Sequence, residues 1–333
     1  LNPLLDRREL FVRWYGWSLE YKDVDPAVWL TNYLHKRYEH NEEQRYWLAW
    51  LYGNTYYLPT SWVLMNEFPD FELATYDRIK DWNDHNYTRL RYQTDTKWSK
   101  GHLPEMFKSY KEMIGNKTQK EFFDGFDGFD DLFDHVKTKQ FKFGRYSTWF
   151  YLQHLEGTCG MRHINPKTLL LNDRSGSRSH RNGLCMALKK DDWYDKKLDK
   201  SQIDILEGMG ADILTEMSDR FPKHKNEVNA FTMETALCSF KKIFRKHHGR
   251  YLGYYLDRQA EEITKVSKDG WNGIEWNVLW QARSESLDKR LTSKGGIIKD
   301  KFDTFVDTGS LDRIEWMFTD IQKSPSPLDN FMI

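Results

Sequence analysis

The sequence predicts an all-α protein, and three observations predict it. Apolar residues recur at helical spacing in several separated stretches, and Asn or Asp stands before several of them where helix caps belong. Convincing period-two strands joined by Asn-Gly or Asp-Gly hairpin turns are missing. The 333 residues suffice for one large domain or two closely packed ones. With 14 Trp, 18 Tyr and 20 Phe, large rings supply enough apolar area for a filled core in a strongly charged chain.

The elements follow in order. Asp25-Pro26 is an N-cap followed by proline in the first turn, leading into Val28, Trp29, Tyr33 and Leu34 at helical spacing. Glu121 to Asp134 holds six acidic residues and no basic one, and reads as a solvated connector between two helical lobes, 1–134 and 135–333. Asn165-Pro166 repeats the cap-and-proline device before Leu169 to Leu171 and predicts another helix. Ile203, Leu206, Ile213, Leu214 and Met217 mark an amphipathic helix. Met233, Ala236, Leu237, Phe240, Ile243 and Phe244 mark the next, after a cap at Asn229. Ser324 to Pro327 is expected to be a frayed end.

Several function classes drop out. Lys+Arg and Asp+Glu are both 50, which argues against an unstructured basic tail. Cys159, Cys185 and Cys238 lie far apart without a CxxC pair, so the spacing offers neither a zinc motif nor a disulfide framework and suits a reducing compartment. No run approaches the length of an apolar span, and no signal pattern opens the chain, so a cytosolic protein without membrane association is expected. The aspartates between Asp124 and Asp130 recur every third residue, whereas a calcium loop needs alternate positions. Gly115 to Thr118 lacks the order of a phosphate-binding loop, and Gly208-Met209-Gly210 sits in a helical pattern. No metal and no nucleotide cofactor is therefore expected.

Charge separates locally. Residues 135–190 hold eleven Lys/Arg against Glu156 and Asp173, a net of +9 in a neutral chain. That concentration is the footprint of a phosphate-binding face, with a merely solvated surface as the alternative. Within it, Phe141 to Thr148 reads as a tight glycine turn opening a helix at Trp149. Such a turn either holds a phosphate on oriented N–H groups or is an ordinary αα-corner. Next, Asn172 to Gly183 is a polar stretch with one carboxylate, Asp173, among Arg174, Arg178 and Arg181. The carboxylate suits proton transfer or cation stabilisation, and the arginines suit a phosphate or pyrophosphate. A structural loop with Asp173 as cap or ion-pair partner is the alternative.

Phe141 to Thr148 followed by Asp173 resembles the helix-hairpin-helix core of the base-excision DNA glycosylases, with Lys142 standing where that motif has its first glycine. Arg13 to Glu20, Leu51 to Tyr56, Trp62 to Phe68, Phe143 to Tyr151 and Ser175 to Gly183 together resemble the phage amino acid:DNA transferases, grouped with the α-glutamyl/putrescinyl-thymine pyrophosphorylases. The likeness runs over roughly residues 10–285. It implies a two-lobed, glycosylase-like helical fold acting in the host cytoplasm on DNA that contains modified uracil. A kinase has first pyrophosphorylated 5-hydroxymethyluracil, and a small amine (an amino acid or putrescine) then displaces the pyrophosphate.

The resemblance implies roles as well. Lys142, Gly144, Arg145, Tyr146, Ser147 and Thr148 would hold the DNA backbone. Asn54, Tyr56, Gln93, Asp95, Trp149, Ser177 and Asn182 would contact the base or the amine, with Trp14, Trp17 and Tyr52 as further aromatic candidates. Arg174, Arg178 and Arg181 would stabilise departing pyrophosphate, and Asp173, or His180 in second place, would take the amine proton. Lys241 to Arg250 is a cationic helix end that either contacts phosphate or is a solvated last turn. Two other readings remain: a monofunctional DNA glycosylase, and a non-catalytic helical DNA-binding module.

Overall fold

The computed structural model describes residues 6–93, 96–172, 178–243 and 250–287, and of Trp98 and Ser99 the backbone alone. The helices are α1 Arg7–Glu20, α2 Pro26–Arg37, α3 Glu42–Thr55, α4 Leu58–Glu67, α5 Tyr76–Asn86, α6 Leu103–Ile114 and α7 Gln119–Phe123. They continue with α8 Phe129–Lys139, α9 Arg145–Cys159, α10 Arg178–Ala187, α11 Lys200–Arg220, α12 Ala230–Ile243, α13 Tyr254–Ser267 and α14 Asn277–Ser286. No strand occurs among the described residues, so the chain is all-α as expected. No described helix is long and apolar enough to cross a membrane, and the three cysteines form no disulfide.

The chain forms two compact units, each built from separated stretches. Among the described residues, the first gathers 6–26, 168–257 and Leu287, and the second gathers Ala27–Lys167 and Arg258–Ser286. The sequence-based division at 134/135 falls inside α8.

In the first unit α1, α10 and α12 pack on one another. Trp14 is buried with its indole N–H donating to Ser239 Oγ at 3.1 Å, and Tyr15 bonds Thr232. Gly183 lies at a close approach of α10 to α12: a Cβ there would overlap the Leu237 carbonyl group. Asp23 is buried and accepts backbone N–H bonds from Gly253, Tyr255 and Leu256, which anchors the start of α13.

In the second unit α3 packs along α9, with Gly53 against the Tyr151 side chain. Trp47 and Trp50 stack at 5.0 Å, and Trp50 stacks on Tyr110 at 4.8 Å, so three rings form the middle of this core. Among the described residues, more than half of the aromatic rings are core, as large rings usually are.

Local signals held where the backbone alone satisfies them. Pro26 opens α2, and the Asn229 carboxamide accepts from Thr232 N ahead of α12. Gly208 and Gly210 lie inside α11, and Thr118 caps α7, so neither glycine-containing stretch is a phosphate loop.

Two expectations are corrected. Residues 166–171 form no α-helix. Leu170 takes a left-handed φ of 51°, and Leu169 and Leu171 donate their N–H groups to the two Glu207 oxygens. Glu207 thereby supplies the acceptors a helix would have offered, while Leu169 and Leu171 remain buried. Glu121–Asp134 is also no open connector. It contains the end of α7 and the start of α8, with Phe122, Phe123, Phe129, Leu132 and Phe133 buried and the acids turned outward. The proposed frayed end at 324–327 lies outside the described residues.

Candidate functional site

In the first unit, two helices begin at one cavity. Arg178 is the first residue of α10 and Lys200 the first of α11. The cavity, of about 440 Å³, is lined by both of these with Arg181, Lys197, Asn172 and Ile203, and by Asp199 and Asp204. Four cations face it against two carboxylates. Asp199 is committed as the α11 N-cap, accepting from Gln202 N at 2.9 Å in a reciprocal capping box. Cations at helix N-termini oppose the dipole, which favours anions there. A bound anion reverses the sign, because it meets N–H groups and cationic side chains together.

The cationic side chains are held differently. Arg181 is buried and rigid: its guanidinium donates to the carbonyls of Leu171 and Lys196, at 3.2 and 3.3 Å. Arg178 is largely exposed and 3.6 Å from Asp195, so it can turn to an incoming ligand at little cost. Asn182 is buried, its side-chain oxygen accepting the Asp195 N–H at 3.0 Å, and so sets the backbone that carries Arg178's partner. His180 is fully buried, with Nε2 3.0 Å from the Leu169 carbonyl and Nδ1 3.3 Å from Glu234. Asp173, Arg174 and Ser177 lie outside the described residues, between Asn172 and Arg178.

In the second unit, α8 and α9 are joined by a short turn at residues 140–144. Gly144 is the exposed N-cap of α9, and its carbonyl accepts from Thr148 N at 3.0 Å. Lys142 is exposed and holds φ 63°, a left-handed conformation suited to glycine. Phe143 anchors the turn in the core against Tyr151. Arg145, Ser147, Thr148 and Trp149 are buried, with the Arg145 guanidinium 4.7 Å from the Trp149 ring centre. The surface offered to a ligand by this turn is therefore the exposed Phe141, Lys142 and Gly144 with the half-exposed Tyr146.

Tyr146 also borders an aromatic group around Tyr56. Tyr56 ends α3 at φ 45° and packs on Phe150 at 4.5 Å, Tyr52 at 5.4 Å and Tyr146 at 5.8 Å. Arg258 stands 5.7 Å from the Tyr56 ring and donates to Glu262, which also accepts from the Gln93 side chain at 2.6 Å. Burial raises the Glu262 pKa, with Arg258 and Gln93 opposing. Asn54 is buried in α3 and donates to the Trp50 carbonyl. Asp95 lies outside the described residues. The structure thus joins Tyr146 to Tyr56, and links Gln93 through the buried Glu262 to Arg258 beside the Tyr56 ring. Trp14, Trp17, Tyr52 and Trp149 are instead buried core.

The profile of the amino acid:DNA transferase family matches residues 12–248, most of the chain. The chain belongs to the amino acid:DNA transferase family. A relative, the serinyltransferase of Salmonella phage ViI, is 30% identical over 296 residues, covering 80% of this chain and 71% of that protein. No solved structure matches. As an amino acid:DNA transferase the protein is a DNA-modifying enzyme, and the family match spans both the cationic cavity and the α8–α9 turn. In this transferase, sequence reading missed Lys197, Lys200 and Asp195, which lie just past the basic window; the lysines before the Ile203 helix were the available signal. It also missed Arg258 and Glu262, which reach Tyr56 and Gln93 only through folding.

Proposed function

We propose that the protein displaces pyrophosphate from 5-(pyrophosphoryloxymethyl)uracil in DNA with the amine of an amino acid, giving a hypermodified thymine. The observation that carries this reading is the cationic cavity at the start of α10 and α11, in a chain of this family. Pyrophosphate leaves as a multiply charged anion, and Arg178, Arg181, Lys197, Lys200 and two helix N-termini are the groups that stabilise such charge. The amine nitrogen forms a bond to the exocyclic carbon on C5 of the base. The carbon–oxygen bond to pyrophosphate breaks with its electron pair on oxygen, and the amine proton passes to Asp173. The phage ViI relative, a serinyltransferase, supports serine as the first amino acid to try, with putrescine as the other amine class.

The α8–α9 turn serves in this reading as a helix-hairpin-helix clamp on the DNA backbone, through Lys142 and the N–H groups that follow Gly144. The substrate base leaves the duplex stack to react. The substrate itself requires a kinase that pyrophosphorylates 5-hydroxymethyluracil in DNA, in the cytoplasm of the phage's host.

The test is incubation of pyrophosphorylated hydroxymethyluracil DNA with the protein and a panel of amines, followed by nucleoside mass spectrometry. A new amino-acyl thymine nucleoside with release of pyrophosphate is expected. Release of free base leaving abasic sites would instead establish a glycosylase. Arg178→Ala should lower the displacement rate by about a hundredfold or more while affinity for unmodified DNA changes little. Equal losses in both would make Arg178 a backbone contact alone.

A further inference from the structure

We propose that His180, Glu234 and Cys238 form a binding site for one divalent transition-metal ion, zinc by their chemistry, that ties α10 to α12. All three lie in the first unit, and their donor atoms fall within 4.8 Å of one another. A tetrahedral zinc with bonds of about 2.0–2.3 Å places its ligands roughly 3.3–3.8 Å apart, so small side-chain adjustments close the site. Glu234 and Cys238 stand one turn apart on α12 and share a face. Gly183 lets the two helix backbones approach closely enough for His180 to reach them.

The orientation of the imidazole supports this assignment. Its Nε2 lies 3.0 Å from the Leu169 carbonyl oxygen, which can only accept, so Nε2 carries the proton. The other nitrogen, Nδ1, then faces Glu234 Oε1 at 3.3 Å. A ring nitrogen fixed on a backbone carbonyl while the opposite nitrogen faces a carboxylate is the outer-sphere arrangement of metal-bound histidines. The side chains of His180 and Glu234 are 0% and 2% exposed, so an ion held there is shielded from bulk water. One nitrogen, one carboxylate oxygen and one sulfur form a mixed donor set that suits zinc better than magnesium or calcium. Binding deprotonates the Cys238 thiol, and the ion fixes the pitch of α10, the helix that carries Arg178 and Arg181 to the cavity. Three protein ligands leave the fourth tetrahedral position to a water molecule, and none of the three lines the cavity of the transfer chemistry proposed above.

The experiment uses the full chain, free of any histidine tag, purified and analysed for bound metal, then stripped with chelator and titrated with Co2+ and Zn2+. One ion per chain is expected, with a thiolate-to-cobalt charge-transfer band and a higher melting temperature on adding Zn2+. Cys238→Ser should abolish that band and, like Glu234→Gln, weaken binding by about tenfold or more. A helical, folded wild-type chain that takes up neither ion at saturation would overturn the proposal and leave a buried imidazole–carboxylate pair. So would a cobalt spectrum that Cys238→Ser leaves unchanged. If both variants fail to fold, the wild-type stoichiometry and band decide alone.

Discussion

Lys142 holds its backbone at φ 63° in the turn between α8 and α9, where a side chain costs about 1–2 kcal/mol relative to glycine. Its ammonium is exposed beside the Gly144 cap, so the position trades backbone ease for a charge. Lys142→Gly should hold or raise stability, by up to about 1 kcal/mol once the glycine's greater unfolded freedom is counted. DNA affinity should fall, with the slope of log K against log salt smaller by about one. Denaturant melts and salt-dependent DNA binding check both halves, and unchanged DNA affinity would remove Lys142 from the contact. The turn was legible in the sequence because glycine and caps act locally. The burial of Arg145 was not, since nothing in its neighbours tells whether a guanidinium faces water or lies beside Trp149.

Among the elements, α10 shows most clearly what packing adds. Its polar, arginine-rich start read as a loop, yet it is a helix from Arg178 whose buried face includes His180, Leu184 and Cys185. Gly183 sits where a methyl group would strike the Leu237 carbonyl on α12. Gly183→Ala should therefore destabilise the chain by about 3 kcal/mol, read from denaturant unfolding. A loss under roughly 0.5 kcal/mol, typical of exposed sites, would mean the two helices are not so closely docked. The failed helix at 166–171 teaches the converse. A cap, a proline and three leucines satisfy local rules, but Glu207, in α11, takes the N–H groups of Leu169 and Leu171. A distant carboxylate overrode the local signal.

At the scale of the molecule, the two units should respond oppositely to acid. In the second unit burial lowers His154 to about 3, His40 to about 4 and His35 to about 2, and His35 and His40 meet Nδ1 to Nδ1 at 2.9 Å. All lie below the unfolded value near 6.5, so the stability they contribute is present above that pH and is lost progressively as pH falls from there toward the folded values. In the first unit His224 sits between Glu20 and Glu227, at 2.9 Å from each. Burial works against its charge, but the two carboxylates outweigh burial and raise its pKa. That contribution is complete below about 6.5 and disappears as pH rises through the higher folded value. Hydrogen exchange at about pH 5.5 and 7.5, corrected for intrinsic rates, should show α2 and α9 losing protection in acid while the His224 segment gains it. The same sign of change in both units would refute the assignment.

The sequence by itself determined the all-α class, the cap at Asn229, the opening of α2 at Pro26, the turn at Gly144 and the family likeness. All but the likeness, which rests on separated blocks along the chain, depend on residues a few positions apart, whose backbone preferences and periodicity need no partner. Only the tertiary structure decided which charges reach a cavity, and it joined Arg178 and Arg181 to Lys197 and Lys200. It alone brought Glu262 to Gln93, and Glu234 and Cys238 to His180. Whether a polar side chain is solvated, paired or buried depends on groups far along the chain, and those meet only when the apolar faces of the helices pack.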